Sequence, residues 1–180
     1  MSIKPPQNRN FLSPVGFELS IQRTPNVEYF VQEATVPGIG SEAASTGTPF
    51  VNIPFQPDRM NFTPLVIDII ADEDLKSWEE LFLWKTGINF PNDHKEYKDL
   101  VEGKNNPAPS FRSNPPGDIY SNISLIILTN KSNPNFEFVF RDAYPVSIGE
   151  LRFRTKENDI TYLTFDVSFD YLSYSFRRIK

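Results

Sequence analysis

Apolar and polar residues alternate along several stretches of the chain, and a period of two is typical of a β-strand with one buried face. The first such stretch covers residues 15–23. A turn signal, Thr-Pro-Asn, follows at residues 24–26, and a second extended stretch covers residues 27–33. The pattern therefore predicts a β-hairpin near the start of the chain.

The middle and the end of the chain contain more strand signals. The apolar run at residues 62–71 predicts a strand that is covered at least partly on both sides. Residues 119–130 and 136–140 flank a turn and predict a second hairpin. Shorter extended pieces are predicted at residues 49–55 and 147–154.

The longest alternation covers residues 160–171 and predicts a strand with two distinct faces. Its apolar face consists of Leu163, Phe165, Val167, Phe169 and Tyr171. Its polar face consists of Tyr162, Thr164, Asp166, Ser168 and Asp170. Because the two sides differ so clearly, the apolar side is expected to pack in the core.

One stretch, residues 71–87, predicts an α-helix. Asp72 is a plausible N-cap, and Glu73 and Asp74 lie in the first turn, where the helix dipole favours negative charge. Gly87 is a natural C-terminal stop. The predicted buried stripe has helical spacing and consists of Leu75, Trp78, Leu81 and Phe82.

Two long connections separate these elements, at residues 34–49 and 88–118. An extended arm is predicted at residues 1–14 and a basic tail at residues 177–180, so residues 15–176 are expected to form a single domain. Strands in hairpins without β-α-β units predict a mainly β fold. The expected architecture is an antiparallel β-sandwich or partly closed barrel with one flanking α-helix.

The composition and net charge of the chain exclude or disfavour several classes of protein function. The 180 residues include no cysteine, which excludes disulfides and thiolate chemistry. No signal peptide or membrane-spanning run is seen, so an intracellular protein, or one assembled inside a cell, is expected. The net charge of −5 disfavours tight recognition of nucleic acid, which needs a basic surface.

The candidate chemistry is sparse. The one histidine, His94, lies in a polar loop and reads as solvent-exposed rather than catalytic. The acids at 72–74 lack the alternate spacing of a calcium loop. Asp166 and Asp170 share a strand face and could act as an acid/base pair, although the wet side of a sheet explains them better. No enzyme activity, metal or cofactor is therefore predicted.

Beyond these patterns, the ordered segments resemble the tail-tube-related proteins of contractile-tailed bacteriophages over residues 10–176. The resemblance rests on a strand that ends near Pro37-Gly38-Ile39, an acidic helix start before Trp78, and a bend at Ala143-Tyr144-Pro145. The segments that carry the resemblance are "NFLSPVGFELSIQRTPNVEYFVQEATVPGI", "TPFVNIPF", "FTPLVIDIIADEDLKSWEELFLWKTGINFP", "SNISLIILTNKSNPNFEFVFRDAYPVSIGELRF" and "DITYLTFDVSFDYLSYSF".

The resemblance is strongest to the tail completion and sheath stabiliser, or tube terminator, group within that family. It implies a virion protein, assembled in the host cytoplasm, that forms a hexameric ring at the head-proximal end of the tail tube. Such a ring would complete the tube, stabilise the sheath and surround a DNA conduit. The alternative within the family is the repeating tail tube subunit.

The resemblance also implies two surfaces. The first is an inter-subunit docking loop whose named members are Val36, Pro37, Gly38, Ile39, Gly40, Gly47 and Pro49. The second, a hypothesis, is a lumen face made of Thr164, Asp166, Ser168 and Asp170. The implied partners are further copies of the chain, other tail proteins such as tube, sheath and neck, and DNA that passes without specific binding, but no membrane.

A different class of function uses other residues. Trp78, Trp84 and the paired acids could serve a small β-sandwich module that binds or hydrolyses carbohydrate. Association of the chain with itself would favour the tail protein, whereas a monomer with sugar-dependent tryptophan fluorescence would favour the module.

Overall fold

The structure, a computed structural model, describes residues 11–89, 91–102, 119–155 and 162–179, and strands dominate these ranges. In chain order the elements are β1 (Phe17–Ile21), α1 (Pro25–Phe30), β2 (Val31–Thr35), β3 (Ile39–Gly40), β4 (Ser45–Gly47), β5 (Asn52–Pro54), β6 (Asn61–Phe62), β7 (Leu65–Ile70), α2 (Lys76–Asn89), α3 (His94–Val101), β8 (Ser121–Leu128), β9 (Pro134–Ile148), β10 (Thr164–Asp170) and β11 (Ser173–Arg178). No helix in the described ranges is long and apolar enough to cross a membrane.

Seven of these strands form one antiparallel sheet in the order β1-β8-β9-β10-β7-β2, with β11 added beside β9. Strand β9 is shared between two halves of the sheet. Its first part pairs with β8 and β11, and its last part pairs with β10. Asp142, at a positive φ of 54°, lies where β9 changes partners. The described sheet does not close into a barrel, because β1 and β2 are its two ends.

Side chains from both halves of the sheet meet in one hydrophobic core. Strand β7 alternates buried and half-buried residues, as the apolar run predicted. The predicted apolar face of residues 160–171 is confirmed from Phe165 to Tyr171, which are buried at every second position. Full burial of each large apolar side chain contributes roughly 1.5–3 kcal/mol, so this core accounts for most of the favourable energy of folding.

The predicted hairpin at residues 15–33 is wrong. Residues Pro25–Phe30 form α1, and the strands on either side of it pair elsewhere, β1 with β8 and β2 with β7. Pro25 favours a helix start because its φ is already helical and it has no N–H to leave unpaired. Val27 is fully buried, and this anchors the short helix on the core.

The predicted helix exists but has different limits and a different buried face. It begins at Lys76 and passes through Gly87 to Asn89. The residues that it buries are Ser77, Glu80, Leu81, Trp84 and Gly87. Trp78 and Phe82, which were expected in the core, stack on each other nearer the surface with ring centroids 4.9 Å apart.

The predicted loop at residues 88–118 contains a helix, α3, at His94–Val101. His94 is the first residue of that helix, and its ring stacks on Tyr97. Gly87 of α2 lies against Leu100 of α3, so the glycine serves helix packing and does not stop the helix. Residues 103–118 lie outside the described ranges.

The end of the chain also differs from the prediction. The longest strand is β9, with 15 residues, and it includes residues 136–140 and the predicted bend at 143–145. The strand predicted at 147–154 is limited to the last residues of β9. Arg177 and Arg178, predicted to belong to a tail, are part of β11. Most of the predicted N-terminal arm, residues 1–10, lies outside the described ranges.

Candidate subunit interface

Residues 36–64, called the ribbon below, form a narrow two-stranded projection between β2 and β7. Near its base β3 pairs with β6, where Ile39 lies opposite Phe62. Further out β4 pairs with β5, where Thr46 lies opposite Ile53. At the tip the Thr48 amide donates a 3.0 Å hydrogen bond to the Val51 carbonyl oxygen, which closes the turn. The predicted featureless loop is therefore one side of a β-ribbon.

The large apolar side chains of the ribbon are exposed. Phe50 is 97% exposed and Val51 is 63% exposed, although both are apolar. The other exposed apolar residues of the ribbon are Val36, Ile39, Ile53, Phe55 and Met60. A contiguous set of this kind is typical of a protein interaction site, because leaving it in water forgoes the hydrophobic free energy.

The structure brings all seven predicted docking residues into this ribbon, and Pro37 alone among them is buried. A Cβ atom at Gly40 or Gly47 would meet its nearest neighbour at 3.9 Å or 3.5 Å, an ordinary contact distance. The fold of one subunit therefore does not require glycine at these positions. The glycines leave the ribbon backbone open to close approach from outside.

Sequence reasoning missed the returning side of the ribbon, which carries Phe50, Ile53 and Phe55. The available signal was the stretch "PFVNIPF", where apolar residues stand between prolines. Proline restricts such a piece to a sheet edge, and an edge strand with apolar side chains and no covering element indicates an interaction surface.

Aromatic residues attach the base of the ribbon to the rest of the subunit. The Tyr171 hydroxyl donates a 2.8 Å hydrogen bond to the Thr63 carbonyl oxygen, and the Tyr174 hydroxyl donates a 3.3 Å bond to the Pro37 carbonyl oxygen. The Phe62 ring lies 5.4 Å from the Tyr174 ring. Burial, followed by the nearby Tyr174 and Asp170, raises the pKa of Tyr171 to about 12, so its hydroxyl remains a donor at neutral pH.

The second predicted surface is the polar face of β10. Thr164 and Asp166 are exposed, and Ser168 and Asp170 are half-buried. The register extends this face across two more strands, because Asp166 lies opposite Asp68 of β7, and Asp68 lies opposite Glu33 of β2. We call these three carboxylates the acidic row. Sequence reasoning found only the member on β10, since the other two depend on strand pairing.

The acidic row is an electrostatic feature and not a metal site. Within the described ranges, no three side chains of the metal-binding types gather closely enough to hold an ion. Like charges opposite each other destabilise a sheet unless water screens them, so this face needs solvent. Near the end of β10, burial and then the Asp170 carboxylate raise the pKa of Tyr144. The Tyr144 hydroxyl therefore stays neutral beside this acid.

The residues of the alternative carbohydrate site do not form one. Trp84 is 2% exposed, and its indole nitrogen donates a 2.9 Å hydrogen bond to the Ile119 carbonyl oxygen. Trp84 is therefore a core residue. Trp78 lies on the other side of α2, stacked on Phe82.

Comparison with known proteins gives a consistent family. A sequence profile described as phage tail tube protein matches residues 1–177. No curated protein sequence matches the chain. Many solved structures share its fold, and they include components of contractile injection systems.

Three of these structures illustrate the likeness. One is a chain of the sheath-tube complex of an extracellular contractile injection system, PVC, in the extended state, with 10% identity, TM-score 0.58, and coverage of 95% of this chain and 94% of that one. Another is a chain of the PVC sheath/tube terminator, with 14% identity, TM-score 0.56, and coverage of 94% and 99%. The third is Hcp1 from Flavobacterium johnsoniae, with 16% identity, TM-score 0.51, and coverage of 89% and 94%.

Proposed function

The chain belongs to the phage tail tube protein family, whose members are structural proteins and not enzymes, and we propose that it forms a hexameric ring in a contractile tail. In this proposal the ring lies at the head-proximal end of the tail tube, completes the tube, stabilises the sheath and leaves a central conduit for DNA. The ribbon is the observation that carries the proposal.

The ribbon supports association because most of its large apolar side chains are exposed in the described part of the subunit. Phe50, Val51 and Phe55 are each more than half exposed. Each large apolar side chain that a neighbour covers contributes roughly 1.5–3 kcal/mol of hydrophobic free energy. A few such contacts per subunit, repeated around a ring, are enough to favour the assembly over the monomer.

Free strand edges support the same proposal. In the described ranges β1, β2 and β11 each pair with one neighbour only. An unpaired edge invites pairing with another chain, and a closed ring of identical subunits uses such edges without continuing into an open fibre.

The acidic row supports a passive conduit. Three carboxylates lie side by side on the face of β2, β7 and β10, with no basic residue between them in the pairing register. DNA binds mainly through phosphate contacts with lysine and arginine, so an acidic wall lets the polyanion slide. We propose that Thr164, Asp166, Ser168 and Asp170 face the lumen, together with Glu33 and Asp68.

The segment between α2 and β8 favours the completing ring over the repeating tube subunit. It contains α3 and spans about 30 residues. Connections between elements of compact domains have a median length of roughly 5 residues. A repeating subunit stacks on copies of itself through both ring faces. We propose that a long connection containing a helix suits a ring that presents a different surface to a different neighbour.

Size-exclusion chromatography with light scattering over a range of concentrations tests the association. We expect the full chain to form a species six times the monomer mass, and Phe50→Asp with Ile53→Asp to shift it to monomer. Tyr29→Asp with Phe82→Asp is the matched control, since these side chains are 84% and 43% exposed and lie on α1 and α2, outside the ribbon. A wild-type chain that remains monomeric at every concentration would refute the proposal.

Negative-stain electron microscopy of the same samples distinguishes a completing ring at the end of the tube from a repeating tube subunit. A completing ring is expected to appear as single rings that attach to one end of a preformed tube. Spontaneous growth of long tubes from the pure protein would instead support the repeating subunit. Hydrogen exchange is expected to show ribbon amides at residues 38–48 protected in the ring and less protected in the monomer.

A further inference from the structure

We propose that Tyr171 and Tyr174 are positioning residues whose hydroxyl groups set the direction in which the ribbon leaves the subunit. This inference rests on the proposed function, because it assigns the residues that aim the docking element. It concerns the orientation of the ribbon in one isolated subunit, which can be measured apart from assembly.

The ribbon needs such an attachment because the β-ladder is interrupted at its base. The last pair of the main sheet joins Thr35 to Val66, and the first pair of the ribbon joins Ile39 to Phe62. Pro37 and Pro64 lie between these pairs, one in each strand. Proline has no N–H, so neither residue can donate a hydrogen bond that would continue the ladder.

The hydrogen bonds within this junction hold the two strands to each other only. The Gly38 amide donates a 2.8 Å bond to Thr63 Oγ1, and the Thr63 amide donates a 3.2 Å bond to the Gly38 carbonyl oxygen. These bonds keep the ribbon intact but do not tie it to the subunit, which at this point it contacts through the Phe62 ring and the tyrosine hydroxyls.

The tyrosine hydroxyls supply the missing constraint. Tyr171 bonds to the strand that leaves the ribbon, at Thr63, and Tyr174 bonds to the strand that enters it, at Pro37. One bond would allow the ribbon to rotate about it. Two bonds, one on each strand, oppose that rotation.

The rings of both tyrosines are themselves held in place. Tyr171 is 7% exposed, and its ring centroid lies 5.0 Å from that of Phe140 in the core. The Tyr174 ring lies 5.4 Å from Phe140 and 5.9 Å from Tyr171. The orientation of the core strands β9 to β11 is therefore transmitted through rigid rings to the ribbon base.

Pulsed electron spin resonance on the full chain tests this inference directly. The sequence contains no cysteine, so Thr48→Cys at the ribbon tip and Lys131→Cys in the turn after β8 create a clean pair of labelling sites. The distance between the labels is measured at a concentration where the chain is monomeric. Tyr171→Phe and Tyr174→Phe keep the rings and remove the hydroxyls, singly and together.

We expect a narrow distance distribution for the wild type, a broader one for each single variant, and the broadest for the double variant. Amides at the junction, such as that of Thr63, are expected to exchange roughly fivefold faster for each hydroxyl removed, the effect of losing one net hydrogen bond. Tyr29→Phe is the matched control, because Tyr29 is 84% exposed and lies on α1, outside the ribbon.

A distance distribution that stays as narrow in the folded variants as in the wild type would overturn the inference and reduce both tyrosines to core packing. If the double variant does not fold, each single variant makes the same comparison. The two proposals can fail separately. If the tyrosine variants broaden the distance distribution but the wild type does not assemble, the proposed ring is refuted and this inference stands.

Discussion

At the scale of the residue, two carboxylates near α2 have pKa values shifted in opposite directions. Asp72 precedes the helix, where Oδ2 accepts a 2.9 Å bond from the Lys76 amide and Oδ1 accepts a 3.1 Å bond from the Ser77 amide. Ser77 Oγ donates a third bond to Asp72. Partial burial raises the pKa of Asp72, but these bonds outweigh it, and the pKa lies below its ordinary value.

Glu80 has the opposite environment. It is 5% exposed, and Oε1 accepts a 2.6 Å hydrogen bond from the Asn26 side chain, while Oε2 has no partner. Burial raises the pKa of Glu80, and the amides of Asn26 and Val27 lower it by less. This carboxylate therefore lies at the first turn of α1 and links the two helices. Because its pKa is raised, its contribution to stability declines as the pH rises above the ordinary value of 4.5.

The first prediction concerns Asp72→Ala, which removes the carboxylate that accepts hydrogen bonds from the first two amides of α2. At neutral pH the free energy of unfolding is expected to fall by about 1 kcal/mol. A lowered pKa means that the stabilising charge is present above the ordinary value of 3.8 and is lost as the pH falls through the lower folded value. The difference from the wild type should therefore shrink in strong acid. Urea denaturation at both pH values measures it.

Asp74→Ala is the control for that experiment. Asp74 forms an ion pair with Lys76, but both side chains are mostly exposed, so the pair is expected to contribute little. A control variant that is destabilised as much as Asp72→Ala would show that general loss of negative charge, and not capping, explains the result.

At the scale of the element, the contact between α2 and α3 depends on a single glycine. A Cβ atom on Gly87 would lie 2.8 Å from the Leu100 Cβ and 2.9 Å from its Cδ2. Real Cβ atoms do not come so close, so α3 would have to move. In an exposed helix, replacing glycine with alanine stabilises by roughly 1 kcal/mol, and packing reverses that preference here.

The second prediction is a double-mutant cycle on this contact. Gly87→Ala alone is expected to lower the free energy of unfolding by about 1–3 kcal/mol through overpacking. In a Leu100→Gly background the same change should cost little or nothing, because the Cβ, Cγ and Cδ2 atoms of Leu100 that would meet the new methyl group are all gone. Thermal denaturation of the four proteins measures the coupling, and additive effects would contradict the predicted clash.

At the scale of the whole molecule, strand pairing arranges charge that no single strand contains. Glu33, Asp68 and Asp166 come from β2, β7 and β10, and they are neighbours only because the sheet pairs these strands in this register. A face of this kind repels the DNA backbone over a distance of about one Debye length, roughly 8–10 Å at physiological salt.

The third prediction reverses that charge. Asp68→Lys with Asp166→Lys is expected to convert a chain that does not retain double-stranded DNA at physiological salt into one that does, with affinity that falls steeply as salt rises. Fluorescence anisotropy of labelled DNA measures the binding. Asp74→Lys with Glu79→Lys adds the same charge around the start of α2 and should have a smaller effect if the ring forms as proposed. Equal effects would contradict a lumen at the acidic row.

The patterns that could be predicted from the sequence are those that depend on neighbours in the chain. Alternation at residues 163–171 predicted which side of β10 is buried, and the apolar run predicted β7. Asp72 was predicted as the N-cap, but α2 begins four residues later, at Lys76, and only the bonds from the Lys76 and Ser77 amides to the Asp72 carboxylate match a capping role. The small residues between two apolar stretches indicated a loop at residues 34–49, whereas the structure has a ribbon there. The docking role of this segment, which the resemblance implied, stays a prediction.

Other features depend on contacts between distant parts of the chain. Only the tertiary structure decided these features. Residues 25–30 were predicted as part of a turn and a strand, whereas burial of Val27 and the bond from Asn26 to the Glu80 carboxylate accompany a helix. Strand β1 pairs with a strand about 100 residues away in the sequence, and β2 pairs with one about 35 residues away. The alternation of apolar and polar residues within a strand does not show which distant strand it pairs with. The sequence by itself determined which face of each strand is apolar. The pairing of strands decided which polar faces join into one surface, because register is set by packing across the whole core.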